Sequence, residues 1–191
     1  MRTVVVIGLG QLGRVFAAAH PQPDCVLVAV AEADLHPTLS ALPASWRGRV
    51  ALIQNELLPC ASQSHGIANP TVASVWFEKK KGTDAKPLIA TPVHGPQAAL
   101  LVQALQSIDI PAHAIASENE LLYELVRKNV YILTTNIAGI VCGGNVDALW
   151  QPHRALATEV AQEVMDIQDW LTGTRNDREY QRGVPDPIGT P

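Results

Sequence analysis

Thr3-Val4-Val5-Val6-Ile7-Gly8-Leu9-Gly10-Gln11-Leu12-Gly13 is the stretch whose reading decides the fold. Thr3 to Ile7 is a short β-branched run, the composition of a strand buried on both faces. The glycines follow at once in GxGxxG spacing, and Arg14 to His20 then reads as a helix stopped by Pro21 and Pro23. Strand, glycine turn and helix in that order are the context in which this motif carries meaning. Gly8 would make the tight turn, Gly10 would let the backbone approach a pyrophosphate, and Gly13 would let helix and strand pack closely. Backbone N–H groups along Gly8, Leu9, Gly10, Gln11, Leu12 and Gly13, with the positive helix end behind them, would hold the anion. The same turn with nothing bound is the plainer alternative. An acid is expected about 20 residues on, at the end of the next strand, for the ribose hydroxyls. Glu32 follows Cys25 to Ala31 and fits that spacing, although a surface carboxylate at a strand end fits it equally.

Outward from this motif, the chain alternates strands and helices. Leu35 to Trp46 has helical spacing, and Val50 to Ile53 reads as a strand ending at Gln54-Asn55. Thr71 to Glu78 and Lys86 to Val93 read as a hairpin around Lys79-Lys80-Lys81-Gly82. Pro96 to Ser107 reads as an amphipathic helix and Ile110 to Ile115 as a last strand. Ser117 with Glu120 forms a capping box that starts a helix to about Ile137. Gly139 to Gly144 breaks it, and a second helix runs from about Pro152 to Leu171. The expected organisation is a Rossmann-like α/β dinucleotide-binding domain over 1–115, a helical pair over 116–172, and a polar tail over 173–191.

Composition excludes several classes. The 191 residues are 47% hydrophobic and 17% charged, the balance of a core-forming globular chain. A net charge of −4 with 5% aromatics argues against a nucleic-acid surface. No apolar run approaches the length of a membrane span. Cys25, Cys60 and Cys142 lie far apart with no CxxC, which fits a reducing cytoplasm better than a disulfide framework. Six histidines show no metal-binding spacing, so no metal is expected. Cys60 and His65 share a loop and read most simply as loop residues.

Several of these stretches, in their order, resemble the ketopantoate reductase family (PanE/ApbA-like oxidoreductases). Gly8 to Gly13 is similar to its entry motif. Val26 to Pro43, followed by Val50 to Leu57, resembles a strand, helix and strand that end in a Gln-Asn-Gly loop. Leu125-Val126-Arg127-Lys128, with Asn136 eight residues after the lysine, resembles its Leu-Trp-Arg-Lys helix. The resemblance implies an NAD(P)-dependent oxidoreductase acting on a small 2-oxo or 2-hydroxy acid, with NADP favoured over NAD. It gives Lys128 the place of the catalytic lysine, which donates a proton to the carbonyl or stabilises the alkoxide. It puts Asn55 beside the nicotinamide and Asn136 on the substrate. Without the resemblance, Lys128 reads as a solvated helix lysine, Asn55 as a turn former and Asn136 as a helix cap.

The departures are specific. Cys25 to Ala31 matches the family's fourth strand, so its second and third strands are missing, with the basic residue that reads the 2′-phosphate. Ala31 stands where the family has a cofactor-binding lysine, and Ile132 stands where it has an asparagine. Gln54-Asn55-Glu56 replaces Gln-Asn-Gly, and the later helices are expected to be absent. These losses keep open an alternative: a non-catalytic dinucleotide-binding protein that serves as a sensor or assembly subunit. Two helices with apolar residues on more than one face also predict a homodimer through 117–172, burying roughly 2,000 Å² or more.

Overall fold

A computed structural model describes residues 4–8, 24–53, 62–78, 86–143, 149 and 152–176. Leu9 to Gly13, Asn55, Cys60, Lys79 to Lys81 and the tail beyond 176 lie outside the described residues. The chain divides into two compact units, residues 1–122 and 123–191. The division falls one turn inside a helix, rather than at the expected 115.

The first unit is built on a six-stranded sheet. Its strands are β1 (Val4–Ile7), β2 (Cys25–Val28), β3 (Val50–Leu52), β4 (Thr71–Ala73), β7 (Thr91–His94) and β8 (Ala112–Ala114), side by side in that order. Strands β1 to β4 are parallel, β7 runs antiparallel to β4, and β8 is parallel to β7. All of β3 and β4 is buried, as is most of β2 and β7, and β2 and β3 are accordingly apolar throughout. Every later strand lies to one flank of β1. The familiar 3-2-1-4-5-6 order would instead bring a strand back to the other flank. Among the described residues none does, so the order follows the register that omits the second and third strands.

Helix α1 (Glu32–Ala41) starts where β2 ends and buries Leu35 and Leu39, one turn apart. It is shorter than the spacing from Leu35 to Trp46 suggests. Its apolar stripe continues instead through a separate 3₁₀ helix (Ala44–Arg49) that buries Trp46. The expected hairpin is present but interrupted. Its base is β4 with β7, and its far end is a separate two-stranded sheet of β5 (Phe77–Glu78) and β6 (Lys86–Pro87). Helix α2 (Ala98–Gln106) lays Ala98, Leu100 and Leu101 against Cys25, Ala51, Ala73 and Val93, and these residues form the core of the unit.

Helix α3 (Glu118–Cys142) begins with the expected capping box. Glu120 N–H donates to Ser117 Oγ at 3.2 Å, and Ser117 N–H donates to Glu120 Oε2 at 3.3 Å. The helix runs five residues past Ile137. Gly139 is carried inside it, and Gly143, at φ 65°, follows its last residue. Helix α4 (Arg154–Thr172) ends likewise at Gly173, φ 66°. In the second unit Ala138, Leu149 and Ala157 form a small core, with Cys142, Leu156 and Val160 packed around it.

Candidate functional site

The glycine motif contributes one described residue, and its geometry is informative. Gly8 ends β1 at φ 130°, a backbone conformation that side-chain-bearing residues rarely adopt. A Cβ placed there would stand 2.0 Å from the Ala29 carbonyl oxygen and 2.5 Å from its carbon. The Ala29 N–H in turn donates to the Ile7 carbonyl at 2.7 Å. The chain leaving β1 is thus pressed against the chain leaving β2. The first glycine of a dinucleotide motif stands at such a strand end, where the chain must turn without a side chain. Ala31 caps α1 in extended conformation and Glu32 begins it, both exposed. Gly8 follows β1 and Ala31 and Glu32 follow β2, at the C-terminal ends of neighbouring parallel strands, the edge at which open α/β sheets bind ligands. An exposed strand end without a side chain thus lies beside an exposed helix start, which leaves room for a ligand at this edge.

The second unit holds the catalytic candidates that can be placed. Lys128 lies on α3 and is 3% exposed. Its Nζ has no hydrogen-bond partner. Burial disfavours the ammonium and pushes its pKa down from 10.5 to about 8. A lysine on a helix is ordinarily a solvated one, and this one is not. Asn136 lies two turns further along α3 and is exposed, so Lys128 and Asn136 do not share one environment. Ile132, one turn from Lys128, is half-buried and apolar, with no hydrogen-bonding group to offer.

Sequence reasoning missed three buried polar groups in this unit. Asn129 Nδ2 donates to Gln168 Oε1 of α4 at 3.3 Å, while Asn129 Oδ1 has no partner. Thr134 Oγ1 is buried and also unpartnered. Asn129 sits beside the Lys128 motif, and a buried amide there had no periodic signal to announce it. Unsatisfied buried polar atoms are uncommon in folded proteins and mark places where a ligand or water belongs. Cys25 offers no nucleophile. Burial, with Asp24 adding to it, raises its thiol to about 11.

The parallel-dominated sheet, the glycine at the end of β1 and the helical second unit define a Rossmann-like dehydrogenase fold. Solved structures of that fold match the chain. D-mandelate dehydrogenase with NADH matches at a TM-score of 0.61 and 15% identity, over 87% of this chain and 58% of that one. A dimeric ketopantoate reductase from Staphylococcus aureus matches at 0.62 and 15% identity, over 85% and 62%. A 2-dehydropantoate 2-reductase from Geobacter metallireducens GS-15 matches at 0.63 and 12%, over 96% and 81%. The chain spans about three fifths of the length of the first two. No protein-family model and no curated protein matches the sequence. What the chain shares with the ketopantoate reductases is their fold.

Proposed function

We propose that the chain is a divergent, shortened member of the ketopantoate reductase family, an NAD(P)-dependent oxidoreductase for a small 2-oxo or 2-hydroxy acid. The observation that carries this reading is Lys128: a buried ammonium without a partner, at the position where the resemblance has the catalytic lysine. Gly8, with the motif residues Leu9 to Gly13, holds the pyrophosphate, and Ala31 and Glu32 flank the adenosine half. The bound nicotinamide supplies the hydride. Lys128 Nζ then gives a proton to the carbonyl oxygen, a role suited to a group titrating near the working pH. Asn55 orients the carbonyl; Asn136, exposed and two turns from Lys128, is the weaker candidate for the carboxylate end of the substrate. The free thiols Cys25 and Cys142 fit a cytoplasmic setting.

The test is fluorescence titration with NADH and with NADPH, followed by 340 nm assays on a panel of 2-oxo acids. Saturable binding of either nucleotide, with turnover that Lys128→Met abolishes, is the expected result. Failure of both nucleotides to bind at millimolar levels overturns the reading. Ile132 and the exposed Asn136 favour the second reading, dinucleotide binding without turnover. That reading predicts binding and no oxidation of cofactor with any acid in the panel.

The partner is a second copy of the chain. Ile140 (84% exposed) and Val141 (75%) near the end of α3 and Trp170 (80%) near the end of α4 are apolar side chains left exposed. Patches beyond a few hundred Å² normally mark an interface. Light scattering is expected to give twice 20.5 kDa at micromolar concentration, and Ile140→Glu with Trp170→Glu to give the single mass. A wild-type protein at the single mass ends the idea.

A further inference from the structure

The first unit carries a histidine cluster that the oxidoreductase reading does not use. His36 lies on α1 and His65 lies 29 residues away, in the segment leading into β4. His36 Nδ1 and His65 Nε2 are 2.7 Å apart and share a hydrogen bond, with ring centroids 5.0 Å apart. Ser40, one turn along α1 from His36, places its Oγ 3.3 Å from His65 Nδ1. Arg47 pins the segment from below: Nη1 donates to the His65 carbonyl and Nη2 to the Ser40 carbonyl. His36 is exposed and His65 half-buried, so both rings have room to turn.

We propose that His36 and His65 form a two-nitrogen site for a divalent transition metal, completed by water. Imidazole nitrogens suit nickel, copper and zinc. An ion holding two of them at right angles, each about 2.05 Å away, needs the nitrogens about 2.9 Å apart. A tetrahedral ion needs them about 3.3 Å apart, which is further from the 2.7 Å observed. Both separations lie within reach of small rotations of the two rings, so Ni²⁺, Cu²⁺ and Zn²⁺ can each be held. Binding turns the rings but does not separate α1 from the β4 segment.

The proton inventory balances without any external acid or base. With two neutral rings, His36 Nδ1–H donates to His65 Nε2, and His65 Nδ1–H donates to Ser40 Oγ. Ser40 thus holds His65 in the tautomer that leaves Nε2 free to ligate, as carboxylates and carbonyls do behind metal-bound histidines. On binding, the proton of His36 moves from Nδ1 to the exposed Nε2 through solvent. The Arg47 guanidinium opposes a cation here, and Glu32 and Asp34 in the first turn of α1 offset it. Among the described residues no group of three or more metal-ligating side chains occurs, so the remaining positions belong to water. Residue 36 is one turn into a helix that runs back from the ligand-binding edge, and residue 65 precedes β4. The ion would therefore tie α1 to the strand entry at the opposite edge of the sheet.

Calorimetric titration of the full chain with NiCl₂ at about pH 8, where neutral imidazole is available, tests the site. One Ni²⁺ per chain is expected, with a Kd on the order of 10 μM. His36→Ala and His65→Ala should each weaken binding by about tenfold or more, and Ser40→Ala by less. His113→Ala and His153→Ala, at exposed histidines elsewhere, should leave it unchanged. Electron paramagnetic resonance of the Cu²⁺ form should show two nitrogen ligands, and one in either His variant. Nickel binding that survives both variants, or no binding below 1 mM, overturns the proposal.

Discussion

Lys128→Met is expected to make the protein more stable and less active at once. The ammonium is buried without a partner, and its pKa falls from 10.5 to about 8. A lysine with a folded pKa below its unfolded one destabilises the fold wherever both states are protonated. Below about pH 8 that cost is present in full, about 3 kcal/mol for a shift of this size. As pH rises from about 8 toward 10.5 the folded state loses its proton first, and stability climbs. Methionine fills the same volume without the charge, and removing a buried charge in this way stabilises by about 1–4 kcal/mol. Denaturant titrations at pH 7 and pH 10 check this: wild type should gain stability between them and the variant should not. Activity should move the other way. Loss of a general acid costs about a hundred- to ten-thousandfold in kcat/KM, and wild-type turnover should fall as pH passes about 8. Equal pH slopes for the two proteins would show that folding leaves the Lys128 pKa unshifted.

Gly8→Ala is expected to be the most damaging small substitution in the first unit. The added methyl would meet the Ala29 backbone at 2.0 Å, and φ at 130° is strained for any side chain. Neither β1 nor β2 can yield without breaking the Ala29 to Ile7 hydrogen bond between them. Such a clash belongs to the exceptional class of substitutions, about 4 kcal/mol or more. Gly48→Ala is the control. Nothing lies within 4 Å of its would-be Cβ, and about 0.5 kcal/mol or less is expected. Urea unfolding followed by the fluorescence of buried Trp46 separates the two, and nucleotide titration of Gly8→Ala should show binding lost together with the turn. A Gly8→Ala protein as stable as wild type would remove the close approach from the argument.

Some of these features were legible in the residues and some were not, for physical reasons. The strands were legible because burial on both faces leaves a continuous apolar signature, as in Cys25 to Val28. The start of α3 was legible because the capping box is a local device whose two partners lie three residues apart. Its end was misjudged because a glycine inside a helix costs only about 1 kcal/mol, which packing around Ala138 can absorb. The first glycine turn was legible from spacing, but the contact that demands it is with Ala29, twenty-one residues on. The burial of Lys128 was not legible, since it depends on surroundings that no local pattern encodes. The same holds for His36 and His65, which the chain path brings together across 29 residues.

The order of strands has a kinetic consequence. Each strand of the main sheet pairs with the one formed just before it, apart from the nested β5–β6 hairpin. In the 3-2-1-4-5-6 arrangement the fourth strand must travel back across two completed βα units to find β1. That long loop has to close before its contacts repay the lost entropy. Among the described residues no such return exists, so the sheet can zip outward from β1 in the direction of synthesis. Shorter closures lower the contact order, and lower contact order speeds folding. A sheet that grows to one flank of β1 is therefore spared the slowest search that the 3-2-1-4-5-6 order imposes.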